Sequence, residues 1–272
     1  SRAGFITGNY PGRWNFSTYL DNRKHNRNAQ QADFLDPEAP TIAKIFKSAG
    51  YATGHFGKWH LGGGRDVTNA PGFEKYGFDE HASTYESPDP DPLITATNWI
   101  WSEKDSIKRW DRTKYFVDKT LEFMQKHKGQ PCFINLWPDH VHTPWVPRKE
   151  TDYTGQYPMN REDEAAFKLV LKEYDIQIGR LLDGLKKLGL DKNTIVIFTS
   201  DNGSFMGDYQ LLGKWFGYEA SIRVPLMIRP AGKTVSRDIS AIALNIDLAP
   251  TMLAMAGVPI PPQMQGRDLT SL

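Results

Sequence analysis

The residues with the clearest chemistry stand directly after an apolar run in the second half of the chain. Residues 194–198 read as a strand, Asp201 and Asn202 follow it, and Lys214 comes further on. In an open α/β sheet, ligands gather at the carboxyl ends of the strands. Carboxylate and amide oxygens are hard donors, which favour calcium or magnesium over zinc. Taken alone, Asp201 and Asn202 could equally form an Asx turn.

Three further groups place charged or metal-competent side chains in loops or beside predicted elements. They are Arg2 in a predicted helix at residues 1–7, Lys58 and His60 in a Gly-Lys-Trp-His-Leu-Gly segment, and His140 and His142 just after a predicted strand. A lysine or histidine at one such position is more often solvated or packed than catalytic. Four groups that converge at strand ends reverse that preference and favour one site. One of the two histidines in the last group is still expected to be structural.

Helices alternate with short apolar strands along the chain. The predicted helices cover residues 40–49, 112–126, 161–188 and 248–255, and the predicted strands cover residues 51–59, 132–137, 194–198 and 224–228. Residues 65–106, rich in Pro, Asp and Gly, are predicted to form a long ligand-facing loop. The alternation is typical of an α/β protein whose mixed or parallel sheet is covered on both faces.

The bulk composition narrows the class of partners. Lys plus Arg number 33 and Asp plus Glu number 32, so the net charge of +1 gives no support for a nucleic-acid partner. No apolar run in the sequence approaches the roughly 20 residues that span a bilayer, so no membrane span is expected. The single cysteine, Cys132, excludes an internal disulfide and is expected to be a buried, inert thiol.

Four segments, in the expected order, resemble the motifs of the sulfatase family of the alkaline-phosphatase-like superfamily. The activation motif is matched in its latter part by Ser1-Arg2 and Thr7-Gly8, and the second motif by residues 57–62. Residues 142–145, His-Thr-Pro-Trp, look like the family's His-x-Pro-aromatic element. The late block is similar at residues 200–203, 213–214, 218–219 and 222–225. Asp208-Tyr209 departs from the Glu-His of many relatives, which leaves local substrate contacts open.

The resemblance implies an alkaline-phosphatase-like fold, a mixed, mostly parallel sheet with helices on both faces. It also implies that residues 1–272 form an incomplete sulfatase catalytic domain. The residue that becomes formylglycine in the family would stand three positions before Ser1, and the first strand, with its pair of metal-binding aspartates, would be missing. The small C-terminal subdomain would be missing too. We therefore expect residues 1–272 by themselves to be inactive.

The implied activity is that of a sulfuric ester hydrolase that uses a formylglycine nucleophile and one calcium ion. Asp201 and Asn202 would supply two calcium ligands. Lys58 and Lys214 would hold the sulfate oxygens, and Arg2 would position the nucleophile. A fixed array of positive charge suits a substrate whose oxygens repel an incoming nucleophile.

Two proton transfers complete the implied mechanism. His60 would accept a proton so that sulfate is expelled, a role that suits a side chain with an unperturbed pKa of about 6.5. Lys214 or His142 would protonate the departing alcohol. The sequence leaves both candidates open for this second transfer.

The substrate class is indicated only weakly. Aromatic residues in or near the presumed loops favour a sulfated glycan over a small aryl sulfate, although packing explains them equally well; they are Trp99, Trp101, Trp110, Trp137, Trp145 and Trp215. From the resemblance, a formylglycine-generating or sulfatase-maturating enzyme is an expected partner. The expected location is periplasmic, secreted or lysosomal.

Two rival functions stay open. One is a phosphodiesterase or phosphonate monoester hydrolase of the same superfamily, because such enzymes share the late Asp-Asn block. The other is a non-catalytic relative that binds calcium or carbohydrate. The residue three positions before Ser1 separates the enzymes from the binding protein, since only cysteine or serine there supports catalysis.

Overall fold

The computed structural model describes residues 1–97, 101–148, 164–232 and 236–272. Its helices are α1 (Arg2–Thr7), α2 (Arg23–Asn28), α3 (Ile42–Ser48), α4 (Arg112–Lys126), α5 (Glu164–Lys187), α6 (Glu219–Ile222) and α7 (Leu248–Met255). Its strands are β1 (Ala52–Gly57), β2 (Glu80–Ser83), β3 (Cys132–Trp137), β4 (Val196–Thr199), β5 (Phe205–Met206), β6 (Leu212–Gly213) and β7 (Leu226–Arg229). Within these ranges, no helix combines the length and the apolar character that a bilayer crossing requires.

The chain folds as two compact units. The first unit comprises Ser1–Ser106, Glu122–Trp137 and Arg237–Leu272, and the second comprises Ile107–Leu121 and Pro138–Ser236.

The first unit is built on a parallel sheet with the strand order β2-β1-β3. All six residues of the central strand β1 are buried, as expected for a parallel strand covered on both faces. The register pairs Gly57 at the end of β1 with Ser83 at the end of β2 and Trp137 at the end of β3. The three strands therefore end level, and their carboxyl ends share one edge.

Helices α1, α3 and α7 pack together over the apolar core of the first unit. Phe46 of α3 stacks on Phe133 of β3 with the ring centroids 4.7 Å apart. The side chain of Thr41 accepts a hydrogen bond from the backbone N–H of Lys44 and so caps the start of α3. These contacts fix the sheet and hence the position of the residues that follow β1.

The second unit contains two antiparallel strand pairs. Strand β4 pairs with β7, from Val196 opposite Arg229 to Thr199 opposite Leu226, and β5 pairs with β6. The long helix α5 buries Ala166 and Val170 against Trp145. Residues 200–203 leave the end of β4 as irregular backbone.

The mixed α/β fold with parallel strand pairing is confirmed, and several element bounds match the predictions. The predicted elements at residues 112–126, 132–137 and 248–255 agree to the residue. The predicted helix 161–188 is observed as α5, and residues 161–163 lie outside the described residues.

The prediction that residues 65–106 form only a loop is wrong. They contain a turn of 3-10 helix at Phe73–Tyr76 and the strand β2 (Glu80–Ser83), and residues 98–100 lie outside the described part. The strand is four residues long and begins with Glu and His, so it has no apolar pattern of its own. Its conformation is set by pairing with β1, a non-local interaction that local sequence does not report.

Candidate active site

Lys58 and His60 leave the end of β1 through a turn that only glycine permits. Gly57 has a φ of 126°, and a Cβ atom there would lie 2.1 Å from the backbone oxygen of Trp137. The N–H of Lys58 donates to that same oxygen at 2.8 Å, so the chain bends away directly beside β3. The second motif is thus held at the level edge where the three strands end.

The ammonium group of Lys58 is buried in an ion pair. The residue is 5% exposed, and its Nζ lies 2.6 Å from Oε2 of Glu86, which is 4% exposed. The other oxygen of Glu86, Oε1, lies 3.4 Å from Nη2 of Arg65, and Nε of Arg65 lies 2.8 Å from Oδ1 of Asp21. Burial would raise the pKa of Glu86, but the charges of Lys58 and Arg65 hold that pKa well below its usual range.

The imidazole of His60 has a defined tautomer. Its Nε2 lies 2.8 Å from the backbone oxygen of Leu20 and 3.7 Å from Oε1 of Glu86. Both neighbours are acceptors, so Nε2 carries the hydrogen and Nδ1 is the basic nitrogen of the neutral ring. Burial lowers the pKa of His60 to about 4, against the opposing effect of the Glu86 carboxylate. The ring is therefore neutral near pH 7 with Nδ1 as its accepting nitrogen, but it is a weaker base than the unperturbed pKa of about 6.5 implied.

Arg2, near the start of α1, contacts the same segment. Its Nη1 donates to the backbone oxygen of Lys58 at 2.6 Å, and its guanidinium carbon lies 5.1 Å from the ring centre of Trp137. Such a stacked guanidinium is held by both a hydrogen bond and a cation–π contact. The first unit therefore brings together Arg2, Lys58 and His60 as the motif pattern predicted.

The second unit carries Asp201 and Asn202 on the loop after β4. The N–H of Gly203 donates to the backbone oxygen of Ser221 at 2.9 Å, and a Cβ at Gly203 would lie 2.2 Å from the oxygen of Ala220. The loop is thus pressed against α6, where only glycine fits. A hydrogen bond from Oγ of Ser200 to the oxygen of Asn202, at 2.9 Å, closes the turn.

Lys214, which follows strand β6, reaches this loop. Its Nζ donates to Oδ1 of Asn202 at 3.2 Å, while Nδ2 of Asn202 donates to the oxygen of Gly203 at 2.7 Å. An ammonium group only donates, so this contact fixes which end of the amide is oxygen. The second unit therefore brings Asn202 and Lys214 together, with Asp201 as the adjoining residue.

Asp201 and Asn202 offer the oxygen atoms that a hard cation prefers, but two residues are too few to complete its coordination shell. Asp201 and Asn202 offer oxygen atoms, as calcium and magnesium prefer, yet calcium takes six to eight oxygens. Among the residues that the structure describes, no group of three or more His, Cys, Asp or Glu side chains is placed to hold a metal ion. These two residues could thus form part of a calcium shell, and further ligands would have to complete it.

His142 lies in the second unit, beside a buried cluster that the sequence did not reveal. The guanidinium groups of Arg109 and Arg112, both fully buried, face the carboxylate of Asp139, and Nη2 of Arg109 also donates to the backbone oxygen of His142 at 2.9 Å. Nδ1 of His142 lies 2.6 Å from the oxygen of Thr143 and so carries a hydrogen. A proton delivered by His142 would come from Nε2 of its charged form.

His140 is the histidine of this segment that fills a structural position. It is 1% exposed, and burial lowers its pKa to about 4, with Arg109 acting in the same direction. A neutral, enclosed imidazole matches the expectation that one of the two histidines is structural.

The aromatic candidates and the cysteine have mixed outcomes. Trp101 and Trp145 are buried, Trp110 and Trp137 are half-buried, and Trp215 is 56% exposed, while Trp99 lies outside the described residues.

Cys132 is half-buried and unbridged rather than fully buried, and burial raises the pKa of its thiol. A raised pKa disfavours the thiolate, in keeping with an inert cysteine.

Glu86 and Arg65 are the functional-site residues that sequence reasoning missed in the first unit. Both lie in the segment predicted to be a loop, and Glu86 meets Lys58 only because β2 pairs with β1. In the second unit, Arg109 begins a short 3-10 helix, Arg109–Asp111, and Arg112 begins α4 directly after it. Their spacing of three residues along a helical stretch is a sequence signal for a common partner.

Comparison with known proteins places the chain in one family. A family model described as Sulfatase matches residues 1–258. The chain is 28% identical to an extracellular sulfatase SULF-1 homolog of Drosophila melanogaster, over 100% of the chain and 27% of that protein. It is 26% identical to an N-acetylgalactosamine-6-O-sulfatase of Bacteroides thetaiotaomicron, over 96% of the chain and 63% of that protein.

A solved structure shares the fold. The phosphonate monoester hydrolase of Silicibacter pomeroyi superposes with a TM-score of 0.68 at 22% identity, over 98% of this chain and 65% of that one. The chain spans between about a quarter and two thirds of the length of these relatives.

Proposed function

This chain belongs to the sulfatase family, and we propose on that premise that the full-length protein hydrolyses sulfate esters, with a sulfated carbohydrate as its substrate. Its fold is the alkaline-phosphatase-like fold of the solved sulfatases. The observation that carries the proposal is the family match over residues 1–258, which includes the motif residues of both units. A carbohydrate substrate is supported by the relative that is an N-acetylgalactosamine-6-O-sulfatase.

Positive charge from this chain would bind the sulfate group. Lys58 can present the ammonium hydrogens that Glu86 does not take, and Lys214 would contribute a second positive charge. Arg2 would orient the nucleophile, a formylglycine whose motif position precedes Ser1. Charges fixed before the substrate arrives stabilise the transition state without reorganisation.

The residues around Asn202 would form part of a calcium site. Asp201 and Asn202 would each give an oxygen, and the amide adds a ligand without adding negative charge beside an anionic substrate. Calcium bound there would polarise a sulfate oxygen.

Proton transfer would use two different histidine nitrogens or one histidine and one lysine. His60 would accept a proton at Nδ1 in the step that releases sulfate, since its Nε2 hydrogen is held by Leu20. The departing alcohol would take a proton from Lys214 or from Nε2 of charged His142. Both candidates remain, because an ammonium group and a charged imidazole can each donate a proton.

Alanine substitutions test these roles. Lys214→Ala and His142→Ala should each lower kcat/KM for 4-nitrophenyl sulfate by about 10²–10³-fold, the usual worth of one proton donor or charge-stabilising group. The melting temperature should stay within a few degrees of the wild-type value, because neither residue is a core residue. Wild-type turnover by either variant would contradict the assignment.

Phosphonate monoester hydrolysis is the second candidate, favoured by the structural likeness to the Silicibacter pomeroyi enzyme. The two functions separate on matched substrates, 4-nitrophenyl sulfate and 4-nitrophenyl phenylphosphonate. We expect the sulfate ester to be turned over with the larger kcat/KM. A larger value for the phosphonate would favour the second candidate.

The cellular context is part of the same proposal. A formylglycine-generating or sulfatase-maturating enzyme would prepare the nucleophile. One relative is named an extracellular sulfatase, which supports a location outside the cytoplasm, in the periplasm, the exterior or a lysosome. Co-expression with a formylglycine-generating enzyme should raise the specific activity of the purified protein if the nucleophile is as proposed.

A further inference from the structure

Glu86 has no role in the mechanism above, yet it contacts two of the three functional side chains of the first unit, Lys58 and His60. Its Oε2 lies 2.6 Å from Nζ of Lys58, and its Oε1 lies 3.7 Å from Nε2 of His60. Its backbone oxygen also accepts the N–H of His60 at 2.9 Å. One residue thus touches the lysine through its side chain and the histidine through both side chain and backbone.

The contacts of Glu86 form part of a closed ring of contacting residues. Glu86 faces Arg65, Arg65 faces Asp21, and the residue before Asp21, Leu20, accepts the hydrogen of His60 Nε2. The side chains of this ring include two cations, Lys58 and Arg65, and two anions, Glu86 and Asp21. The backbone oxygen of Lys58 also accepts a hydrogen bond from Arg2. Loss of the Glu86 carboxylate would leave Lys58 and Arg65 close together without their shared counter-charge.

Two residues of this group have unfavourable backbone conformations that hydrogen bonds hold in place. His60 and Arg65 have φ values of 53° and 52°, in the left-handed region that costs energy for residues other than glycine. The N–H of His60 is held by Glu86, and the N–H of Arg65 is held by the hydroxyl of Tyr85 at 2.9 Å. Hydrogen bonds from the segment around Glu86 therefore stabilise the backbone conformation that presents the His60 ring.

We propose that Glu86 is a positioning residue that holds the Lys58 ammonium and the His60 imidazole in their working geometry. The inference rests on the proposed function, because it assumes that these two side chains act on the sulfate group. Glu86 itself contacts no substrate in this account. It acts through the lysine charge it stabilises and the histidine tautomer it supports.

The variant Glu86→Gln separates this role from simple packing, since glutamine keeps the shape and removes the charge. Without the carboxylate, the charged forms of Lys58 and His60 both lose a favourable neighbour. The Glu86 charge raises the pKa of His60 against the effect of burial, so removing that charge lowers the His60 pKa further. The limb of the pH profile of kcat/KM that reports His60 should therefore move to lower pH.

The experiment compares full pH profiles on 4-nitrophenyl sulfate. Glu86→Gln should lower kcat/KM by about 10–100-fold at pH 7, the usual effect of losing a group that orients a site residue, and should shift the limb that reports His60. Glu86→Asp should lower kcat and leave the limbs in place, because it keeps the charge but shortens the reach. An unshifted profile in Glu86→Gln, or wild-type rates in both variants, would overturn the proposal.

Glu80→Gln provides a matched control. Glu80 lies in β2 of the same unit and also faces a lysine and a histidine, with Lys126 at 2.6 Å and His127 at 3.2 Å, but it is partly exposed. This variant should retain the wild-type profile. A profile shift as large as that of Glu86→Gln would show a general charge effect and would count against the assignment.

A readout without turnover distinguishes failure of this inference from failure of the proposed function. Nitrogen-15 NMR of the histidine rings should show His60 as the Nε2–H tautomer in the wild-type protein and a lower His60 pKa in Glu86→Gln. Should Glu86→Gln not fold, Glu86→Asp should show the wild-type tautomer with reduced kcat. A His60 signal that is the same in every variant would overturn the positioning role, whereas absence of sulfatase activity in the wild-type protein would overturn the function.

Discussion

The two clusters of functional residues differ in how deeply their charges are buried. Around Lys58, the charges are buried and face one another, so Lys58 and Glu86 are each about 5% exposed. Around Lys214, the side chains of Asp201, Asn202 and Lys214 are only half-buried. The first cluster is complete within its own unit, while the second offers part of a ligand shell.

This difference predicts different consequences for the same kind of substitution. A buried ion pair leaves a costly unpaired charge when one partner is removed, whereas a partly solvated contact is replaced by water at little cost. The first cluster should therefore couple function to stability, and the second should affect function or ion binding alone.

The largest expected effect is the loss of stability in Lys58→Met. Removing the ammonium leaves the carboxylate of Glu86 buried, so the free energy of unfolding in urea should fall by about 3–5 kcal/mol. The double variant Lys58→Met/Glu86→Leu should recover most of that loss, because neither charge remains. In Lys214→Met the change should be about 1 kcal/mol or less. Equal losses at Lys58 and Lys214 would break the comparison.

A smaller effect concerns the pH dependence of stability in the first unit. His55 is fully buried among Trp59, Phe73, Phe78 and Trp137, and burial lowers its pKa to about 3. Above pH 6.5 the ring is neutral in both states and contributes nothing. As the pH falls below 6.5 the unfolded chain takes up the proton first, so stability decreases.

The variant His55→Phe measures how much His55 contributes to the pH dependence of the unfolding free energy. At pH 5 the unfolded chain gains about 2 kcal/mol from protonating one such histidine. The fall in unfolding free energy between pH 7 and pH 5 should therefore shrink by about that amount in the variant. His81→Phe is the control, since His81 is partly exposed and faces Asp89 at 3.0 Å. An unchanged pH slope in His55→Phe would contradict the account.

The smallest expected effect is on ion affinity in the second unit. Asp201→Ala should weaken calcium binding to the full-length protein by about tenfold or more, as measured by calorimetric titration, with little change in melting temperature. Asp183→Ala removes a carboxylate from the exposed face of α5 and should leave the titration unchanged. Equal calcium affinity in wild-type and Asp201→Ala would remove the metal role from this cluster.

The sequence predicted the elements whose patterns are local. The amphipathic helix α4, the apolar strand β3 and the helix α7 have their predicted bounds, because periodicity and end signals lie within each segment. Strand β2 and helix α2 were not predicted. Both are short and polar, and the conformation of β2 depends on its pairing with β1.

The site residues were predictable for a similar reason. Lys58, His60, Asp201, Asn202 and Lys214 lie in contiguous motifs that the sequence shows directly. The side chains that contact them do not lie in those motifs. The bond between Lys58 and Glu86 and the cluster of Arg109, Arg112 and Asp139 join residues about 30 positions apart. Such pairs follow from the fold, so a single sequence names the catalytic candidates but not the side chains that orient them.

Release of inorganic sulfate from a sulfated N-acetylgalactosamine, compared between the wild-type full-length protein and His60→Ala, is the most direct test of the account. We predict steady release by the wild-type protein and a loss of about 10²–10⁴-fold in the variant, the range expected for a general base. No sulfate release by the wild-type protein, or equal release by both, would contradict it.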